Sequence, residues 1–200
     1  MKISIVKMST MKKINLAVLC LITLTIVACS QAKKEKTLEE EIAEYRANQI
    51  DFSQNAKPKD FSAKATDGST FNSKDFKGKY WAIFFYDRSY LIKSDSYDLV
   101  AELNNTHKLF GDKIPMIALI NGFCDNDLEL KRQIDSAQFA FTQIDNTKGP
   151  NKESKVKDNV FCTPAKIIID PAGKVVYNGC GGNTDKFNLM LTDLIKAEKL

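Results

Sequence analysis

A continuous aromatic and aliphatic run, Tyr80-Trp81-Ala82-Ile83-Phe84-Phe85-Tyr86, lies near the middle of the 200-residue chain. A half-exposed strand alternates apolar and polar side chains, whereas a strand covered on both faces is apolar throughout. The run therefore predicts a strand that is buried on both sides. Such a strand belongs to an open sheet flanked by helices, which is the arrangement of an α/β protein.

Helix and strand patterns alternate after this run. Ser96–Phe110 carries apolar residues at helical spacing, and Ile114–Ile120 is a second apolar strand. The remaining predicted elements are a helix at Leu128–Ile134, strands at Phe139–Ile144, Ala165–Asp170 and Lys174–Tyr177, and a helix at Thr184–Ala197. The last helix is predicted to turn five apolar residues toward the sheet: Phe187, Leu189, Leu191, Leu194 and Ile195.

A β-hairpin is predicted on the N-terminal side of the run. Asp67-Gly68 lies between short alternating segments that end at Phe71, and this dipeptide is typical of a tight turn between antiparallel strands. The hairpin is an extension placed before the first strand of the main sheet.

The N-terminus has the pattern of a secretory signal. Lys12 and Lys13 precede Ile14–Ala28, an apolar run shorter than the roughly 20 residues that a transmembrane helix needs. Ile26-Val27-Ala28-Cys29 resembles the bacterial lipobox, so residues 1–28 are predicted to be removed and Cys29 to receive a lipid. A plain signal peptide and a retained membrane anchor are the alternatives. The start codon is one of three methionines, Met1, Met8 or Met11.

The charge of the chain becomes neutral once this signal is removed. All four charged residues among the first 28 are lysines, and removing them from 29 basic residues leaves 25, which equals the number of acidic residues. A neutral chain without a basic stripe has no electrostatic surface for nucleic acid or anionic lipid. No nucleic-acid partner is expected, and membrane attachment is expected through acyl chains on Cys29.

Residues 29–57 are polar and rich in charge, and they are predicted to form a tether. Thr37-Leu38-Glu39-Glu40 is a capping box, and Leu38, Ile42 and Tyr45 follow on one helical face. This stripe either docks on the domain or a partner, or belongs to a solvated helical stalk. Residues 58–200 have the length of one domain.

Two phrases of the domain resemble the thioredoxin-like redoxins, in particular the TlpA-type branch of bacterial envelopes. Asp60-Phe61-Ser62, followed by Asp75-Phe76-Lys77-Gly78-Lys79, is similar to the N-terminal hairpin of that family. Thr163–Gly173 is similar to its proline loop, strand and turn. The resemblance implies a thioredoxin-like fold with a mixed central sheet. It also implies that Pro164 is cis and that the loop with Thr163 pairs with an extended peptide.

The chain departs from this family after the buried strand. Redoxins of this type carry Cys-x-x-Cys there, at a helix N-terminus that lowers the pKa of the attacking thiol. No cysteine occurs between Tyr86 and Gly111, so the usual two-cysteine mechanism and the usual peroxidatic chemistry are not expected. The residues in its place form a candidate binding loop; they are Asp87, Arg88, Ser89, Tyr90 and Lys93. A merely solvated loop is the alternative.

Three cysteines remain in the domain, and the resemblance places Cys124, Cys162 and Cys180 near one pole of the sheet. An oxidising location favours a disulfide, for which Cys162 with Cys180 is the preferred pair, although spacing alone leaves all three pairings open. The cysteines then form a structural disulfide plus a free thiol, a relocated redox pair, or a three-thiolate Cu(I) site.

Two functions of different class follow from these features. The first is a lipid-anchored, non-catalytic protein-binding or assembly module, which needs no metal or cofactor. The second is a thiol-disulfide oxidoreductase that uses Cys162 with Cys180 or Cys124. His107 is the only histidine, which excludes a zinc site built from several histidines. Ser30 resembles an outer-membrane sorting signal, so we expect the protein in the bacterial envelope, facing the periplasm.

Overall fold

The computed structural model describes residues 36–198 of the chain. The chain divides into two units, the second of which begins at Ala47. The predicted signal, residues 1–28, and the predicted lipidation site, Cys29, lie outside the described residues. Within residues 36–198, no helix is long and apolar enough to cross a bilayer.

Helix α1 runs from Leu38 to Asn48, and the capping box predicted at its start is confirmed. The Glu40 amide donates to the Thr37 hydroxyl at 3.2 Å, and the Thr37 amide donates to the Glu40 carboxylate at 2.9 Å. No residue of this helix is buried. The cap and the good helix propensity of its residues therefore stabilise it. Its apolar stripe is solvent-exposed, and consists of Leu38, Ile42 and Tyr45.

The predicted hairpin pairs β1, Ser62–Lys64, with β2, Thr70–Asn72, in antiparallel register. Its turn contains Asp67 and Gly68, as predicted. The Asp67 carboxylate accepts a hydrogen bond from the amide two residues later at 2.8 Å, and Gly68 has a φ of +90°. Glycine adopts this positive φ without the steric penalty that a Cβ would bring.

A five-stranded mixed sheet forms the centre of the second unit, in the order β5-β4-β3-β6-β7. Its strands are β3 at Trp81–Asp87, β4 at Met116–Asn121, β5 at Thr142–Asp145, β6 at Ala165–Ile169 and β7 at Val175–Cys180. Strand β3 lies in the middle, parallel to β4 and antiparallel to β6. This central position explains why its sequence is apolar on both faces.

Strand β5 begins at Thr142, later than the predicted start at Phe139. The two phenylalanines before it pack as side chains against neighbouring elements. Phe139 packs against Tyr86 with ring centroids 5.8 Å apart, and Phe141 stacks on His107 at 5.2 Å. The two residues make the sequence before Thr142 look like part of the strand, but the pairing of β5 with β4 begins only at Thr142.

The side chains of the sheet form two separate cores. Ile83, Phe85 and Ile167 belong to the core on one side of the sheet, and we call this side face one. Phe84 and Ile168 belong to the core on the opposite side, which we call face two. Successive residues of a strand point to opposite faces, so this division follows from the twofold period of the strands.

Three helices contribute buried side chains to face two. They are α2 at Leu99–Phe110, α3 at Asp127–Ala137 and α4 at Asp185–Glu198. In α4, Phe187 and Leu191 are buried because they lie four residues apart on one side of the helix. Leu189 was also predicted to face the sheet, and this is wrong. It lies two residues from Phe187, on the other side of the helix, and is exposed.

Face one is covered by the hairpin and by the segment that follows α1. Ile50 and Phe52 of this segment are buried in the core of face one. Ile50 forms a parallel bridge with Asp158, and the Phe52 amide donates to Asn159 Oδ1 at 2.8 Å. The compact unit therefore begins at Ala47, ahead of Pro58, where the domain was expected to start, because two large apolar side chains become buried there.

Candidate functional site

Five loops meet at one edge of the sheet. They are the loops after β3, β4, β5 and β7, and the loop before β6. Strands β3, β4 and β5 are parallel, so their carboxyl ends lie together. Strand β6 is antiparallel to β3, which brings its first residue, Ala165, beside Phe85. Cys180, the last residue of β7, pairs with Ala165. We call this edge the carboxyl pole.

The loop after β3 is the candidate binding loop that was predicted from the sequence. It begins with a short 3₁₀ turn, Arg88–Leu91, which Asp87 caps by accepting a hydrogen bond from the Ser89 amide at 2.9 Å. The Tyr90 ring packs edge-on against Tyr97, with centroids 6.2 Å apart. The loop is therefore an ordered polar turn that contains no thiol.

Lys93 of this loop pairs with the residue that caps α2. Its Nζ lies 3.4 Å from Asp98 Oδ2, and Asp98 accepts a hydrogen bond from the Ala101 amide at 2.9 Å. The Ala101 amide, together with Lys93, lowers the pKa of Asp98 although burial opposes this change. Lys93 of the predicted binding loop is therefore paired with the N-cap residue of α2.

Cys162 and Cys180 are joined by a disulfide bond, which is the pairing that the family resemblance favoured. The two Cα atoms are 6.0 Å apart, and Cys180 follows Cys162 by 18 positions in the sequence. Cys180 is exposed and Cys162 is half-buried, packed against the core of face one. The bond ties the loop before β6 to the end of β7.

Cys124 lies apart from this disulfide, in the core of face two. Its thiol is buried and free, and donates a hydrogen bond to the Asn126 carbonyl at 3.3 Å. Because the sheet separates the two cores, the structure does not bring Cys124 together with Cys162. The pairing of these two cysteines and a metal site that uses all three thiolates are therefore not formed.

The Thr163–Pro164 peptide bond is cis, as the family resemblance implied. Thr163 is exposed and Pro164 is buried. The Pro164 carbonyl accepts a hydrogen bond from the Gly181 amide at 2.8 Å, which connects this loop to the turn after β7. No hydrogen bond to the Thr163 backbone occurs within residues 36–198, so its polar groups are available to another chain.

Four large apolar side chains are exposed at the carboxyl pole, three on loops and one in the first turn of α3. None of them was predicted from the sequence as a site residue; they are Ile92, Phe123, Leu128 and Phe161. Phe161 is 92% exposed and directly precedes the disulfide. The sequence carries one signal for this residue, because Phe161 directly precedes a cysteine of the predicted disulfide. The exposure of the other three residues depends on how the chain folds around them, for which the local sequence gives no signal.

A buried polar cluster at the same pole also went unpredicted. Lys166 is only 2% exposed, and its Nζ donates to the Gly181 carbonyl and, at 3.0 Å, to the Asn183 carbonyl. Burial lowers the pKa of Lys166 to about 8, although the charge of Glu102 opposes this change. The alternation of β6 places Lys166 inward, in a strand that is otherwise entirely apolar.

Acidic side chains near Cys124 do not form a metal site. Lys152 lies between two of them, 3.1 Å from Asp145 Oδ2 and also in contact with Asp127. The pKa of Asp145 is lowered overall. Burial alone would raise it, but the hydrogen bonds from Thr147 and the hydrogen bond and charge of Lys152 outweigh the effect of burial. Within residues 36–198, no three metal-ligating side chains are grouped together.

Comparison with solved structures gives weak sequence similarity and clear similarity of fold. The thioredoxin domain of a thiol-disulfide oxidoreductase from Bacteroides vulgatus matches with a TM-score of 0.52 at 16% identity, over 72% of this chain and 98% of that chain. A DsbF homologue from Corynebacterium diphtheriae has a TM-score of 0.54 at 11% identity, over 70% and 87%. A candidate thiol:disulfide interchange protein DsbE from Chlorobium tepidum has a TM-score of 0.52 at 16% identity, over 73% and 97%.

These identities establish the thioredoxin-like fold alone. No curated protein sequence matches the chain. A profile of the AhpC/TSA family matches residues 53–178, which include the hairpin, the whole of β3 to β6 and most of β7. The chain therefore belongs to the AhpC/TSA family.

Proposed function

We propose that this protein is a TlpA-type, lipid-anchored member of its family that binds a partner protein through the carboxyl pole and does not catalyse disulfide exchange there. The observation that carries the proposal is the exposure of Phe161 beside the disulfide and the cis-proline loop. Aromatic side chains are enriched at protein–protein interfaces relative to the rest of the protein surface.

The proposed partner is an extended peptide segment with apolar side chains. Thr163 offers backbone groups that are not engaged within residues 36–198, so it can form hydrogen bonds with another backbone. Phe161 is two residues away from Thr163, so an apolar side chain of the same peptide can pack against it. Aromatic residues contribute strongly to protein interfaces because they bury a large area with few rotatable bonds.

The loop after β3 supports a binding role rather than the usual catalysis. Nucleophilic exchange needs a thiolate, and the residues Asp87–Ser94 contain none. Ser89 donates its amide to Asp87, and no general base lies beside its hydroxyl among the hydrogen bonds of the described residues. The turn instead provides a stable polar rim beside the exposed Ile92.

The proposed location is the bacterial envelope, with the lipid on Cys29 and the domain facing the periplasm. The solved structures that share the fold include proteins described as thiol-disulfide oxidoreductases and thiol:disulfide interchange proteins. A disulfide in this chain fits an oxidising compartment, because thiols in the cytosol are kept reduced. We propose the outer membrane because Ser30 follows the lipidation site.

The binding proposal is tested by site-specific photo-crosslinking in intact cells that produce the full chain. A photoreactive phenylalanine analogue replaces Phe161 in one variant and Leu109 in the other. Leu109 is the matched control, because it is 59% exposed but lies near the C-terminal end of α2, away from the carboxyl pole. We expect a discrete crosslinked protein from position 161 and none from position 109.

A substitution gives a quantitative check on the captured partner. Phe161→Ala should weaken its binding to the purified chain at least about fivefold, which is typical of an aromatic side chain central to an interface. Leu109→Ala should leave binding unchanged. Equal crosslinking from both positions, or unchanged affinity in Phe161→Ala, would contradict the proposal.

The second candidate function is disulfide exchange by Cys162 and Cys180, and the exposure of Cys180 favours it. An incoming thiolate would attack Sγ of Cys180, form a mixed disulfide with it, and release Cys162 as a thiolate. Equilibration with defined glutathione ratios measures the reduction potential of the pair. A potential below about −300 mV indicates a structural disulfide, whereas about −270 to −120 mV would indicate an exchange-active pair and favour this second function.

A further inference from the structure

Residues 161–163 carry the two groups on which the proposed function depends, the Phe161 ring and the Thr163 backbone. Both residues are exposed, and Cys162 between them is half-buried. No backbone hydrogen bond holds these three residues within the described part of the chain, residues 36–198. The conformation of this segment therefore depends on how its ends are held, on the packing of Cys162 and on the disulfide.

Both ends of the segment are held by contacts that do not involve the disulfide. On the N-terminal side, the Asn159 amide donates to the Ile50 carbonyl at 3.2 Å, and Val160 packs against the core of face one. On the C-terminal side, the Pro164 carbonyl accepts a hydrogen bond from the Gly181 amide at 2.8 Å, and β6 begins at the next residue. Loss of the disulfide should therefore leave both ends in place and free only the residues between them.

The disulfide attaches the middle of this segment to the sheet. Cys162 is bonded to Cys180, and Cys180 is the residue of β7 that pairs with Ala165 of β6. Phe161 and Thr163 are each one peptide bond away from the attached residue. Phe161 is 92% exposed, so other side chains give its ring little support, and its position follows that of the backbone. The disulfide therefore controls where both binding groups lie.

A loop that is ordered before it binds loses less conformational entropy on binding than a mobile loop does. Fixing the backbone of each mobile residue opposes binding, and a disulfide that already holds the bound conformation removes this cost. Pairing of an extended peptide with Thr163 is sensitive to this effect, because hydrogen bonds between two backbones require a defined direction of the N–H and C=O groups. The covalent attachment of Cys162 should therefore increase the affinity for such a peptide.

We propose that Cys162 and Cys180 are positioning residues for the proposed binding surface: their disulfide holds Phe161 and Thr163 in the conformation that the partner binds, and only the oxidised chain binds tightly. This inference rests on the proposed function for its biological meaning, whereas the ordering of residues 161–163 does not need the partner. The role differs from disulfide exchange, because the bond stays intact while the partner is bound.

Nitrogen-15 relaxation of the full chain in detergent, before and after reduction with dithiothreitol, tests the ordering. One thiolate of the reagent attacks Sγ of Cys180 and releases Cys162 as a thiolate, which takes up a proton; the second thiol of the reagent then releases Cys180, and the reagent becomes a cyclic disulfide. We expect the order parameters of the Phe161 and Thr163 amides to fall from about 0.85 to below about 0.6 on reduction. The Leu119 amide, in β4, should stay rigid.

A one-carbon bridge separates positioning from disulfide chemistry. In a Cys124→Ala chain, which lacks the free thiol, diiodomethane joins the reduced Cys162 and Cys180 through a thioether that thiols do not open. The bridged chain should keep residues 161–163 rigid and should bind the captured partner as the oxidised chain does. The Cys162→Ser/Cys180→Ser variant should be mobile at these residues and should bind the partner at least about tenfold more weakly. A bridged chain that is rigid but does not bind would overturn the proposal and favour exchange by the cysteine pair.

A destabilised variant with an intact disulfide controls for general loss of stability. Leu191 of α4 is fully buried in the core of face two, so Leu191→Ala lowers the free energy of unfolding without breaking the attachment of Cys162. This variant should keep residues 161–163 rigid and bind the partner as the unmodified chain does. Mobility or weakened binding equal to that of the double serine variant would mean that the disulfide acts only through global stability.

The relaxation experiment and the crosslinking experiment fail independently. If residues 161–163 become mobile on reduction but position 161 captures no partner, the ordering role of the disulfide stands and the binding function is wrong. If position 161 captures a partner but these residues stay rigid on reduction, or the double serine variant binds that partner equally well, the binding function stands and the positioning role of the disulfide is wrong.

Discussion

Two tyrosines with buried hydroxyl groups differ in what those groups contact. The Tyr86 hydroxyl donates to Gln143 Oε1 at 2.7 Å, whereas the Tyr97 hydroxyl has no hydrogen-bond partner within residues 36–198. We predict that Tyr86→Phe lowers the free energy of unfolding by about 1–3 kcal/mol, because the Gln143 oxygen is left buried without a donor. Tyr97→Phe should be neutral or stabilising by up to about 1 kcal/mol, because it removes an unsatisfied group.

Urea unfolding of the two variants, monitored by circular dichroism, measures this difference. Both substitutions remove a single oxygen from an aromatic ring, so they are matched in size. A larger loss of stability in Tyr97→Phe than in Tyr86→Phe would show that the hydrogen-bond assignment is wrong.

The buried lysine should give the protein a distinctive alkaline pH dependence. In the folded state the pKa of Lys166 is lowered from 10.5 to about 8, while the unfolded chain keeps its proton to about 10.5. Between these values the unfolded state binds more protons, so the contribution of Lys166 to the free energy of unfolding rises with pH. Below about pH 8 both states are protonated, and the full cost of the buried charge is present.

The measurement is the difference in unfolding free energy between the unmodified chain and Lys166→Met, followed from pH 7 to pH 10.5. We expect the unmodified chain to gain stability relative to the variant above about pH 8. The opposite slope, or a constant difference, would mean that the lysine is not titrating in the folded protein.

At the scale of elements, the segment after α1 behaves as part of the domain. Phe52 is 0% exposed and packs against Phe85, with ring centroids 5.3 Å apart, whereas Tyr45 of α1 is 63% exposed. Phe52→Ala should lower the free energy of unfolding by about 3–5 kcal/mol because it leaves a cavity in the core of face one. Tyr45→Ala is the matched control and should change stability by less than about 0.5 kcal/mol.

Chemical denaturation of the two variants would check where the domain begins. Similar small effects for both substitutions would place the segment outside the folded unit. The segment was assigned to the tether from its polar composition, and the tertiary contacts of Ile50 and Phe52 place it in the core instead. Two apolar residues in a charged stretch are a weak local signal, although their burial contributes strongly to packing.

For the whole molecule, the disulfide should contribute to stability through the loop that it closes. Cys180 follows Cys162 by 18 positions, and closing a loop of this length removes about 3 kcal/mol of conformational entropy from the unfolded chain. The double substitution of Cys162→Ser with Cys180→Ser should therefore lower the free energy of unfolding by about 3 kcal/mol and leave the fold intact. Equilibrium unfolding without reductant measures this change.

The free cysteine provides the control for this experiment. Cys124 is buried on the opposite face of the sheet and does not pair with the other two. Reductant should therefore destabilise Cys124→Ala as much as the unmodified chain, and should have no effect on the double serine variant. Sensitivity of the double variant to reductant would contradict the assigned pairing.

The sequence by itself determined the type and order of the elements. The run at β3, the Asp67-Gly68 turn and the cap of α1 are local patterns, because strand period, turn geometry and helix capping each depend on residues close in the chain. The absence of a cysteine after β3 is equally visible in the sequence. These features are sufficient to predict an α/β fold with an N-terminal hairpin and a loop after β3 that contains no thiol.

Only the tertiary structure decided which distant residues meet. The sheet places Cys124 on face two and Cys162 on face one, although both lie in loops at the same pole. It turns Lys166 inward onto the carbonyls of a turn that follows the next strand, and it leaves Phe161 in solvent. These outcomes depend on strand register and on the packing of loops far apart in sequence, for which a local pattern carries no information.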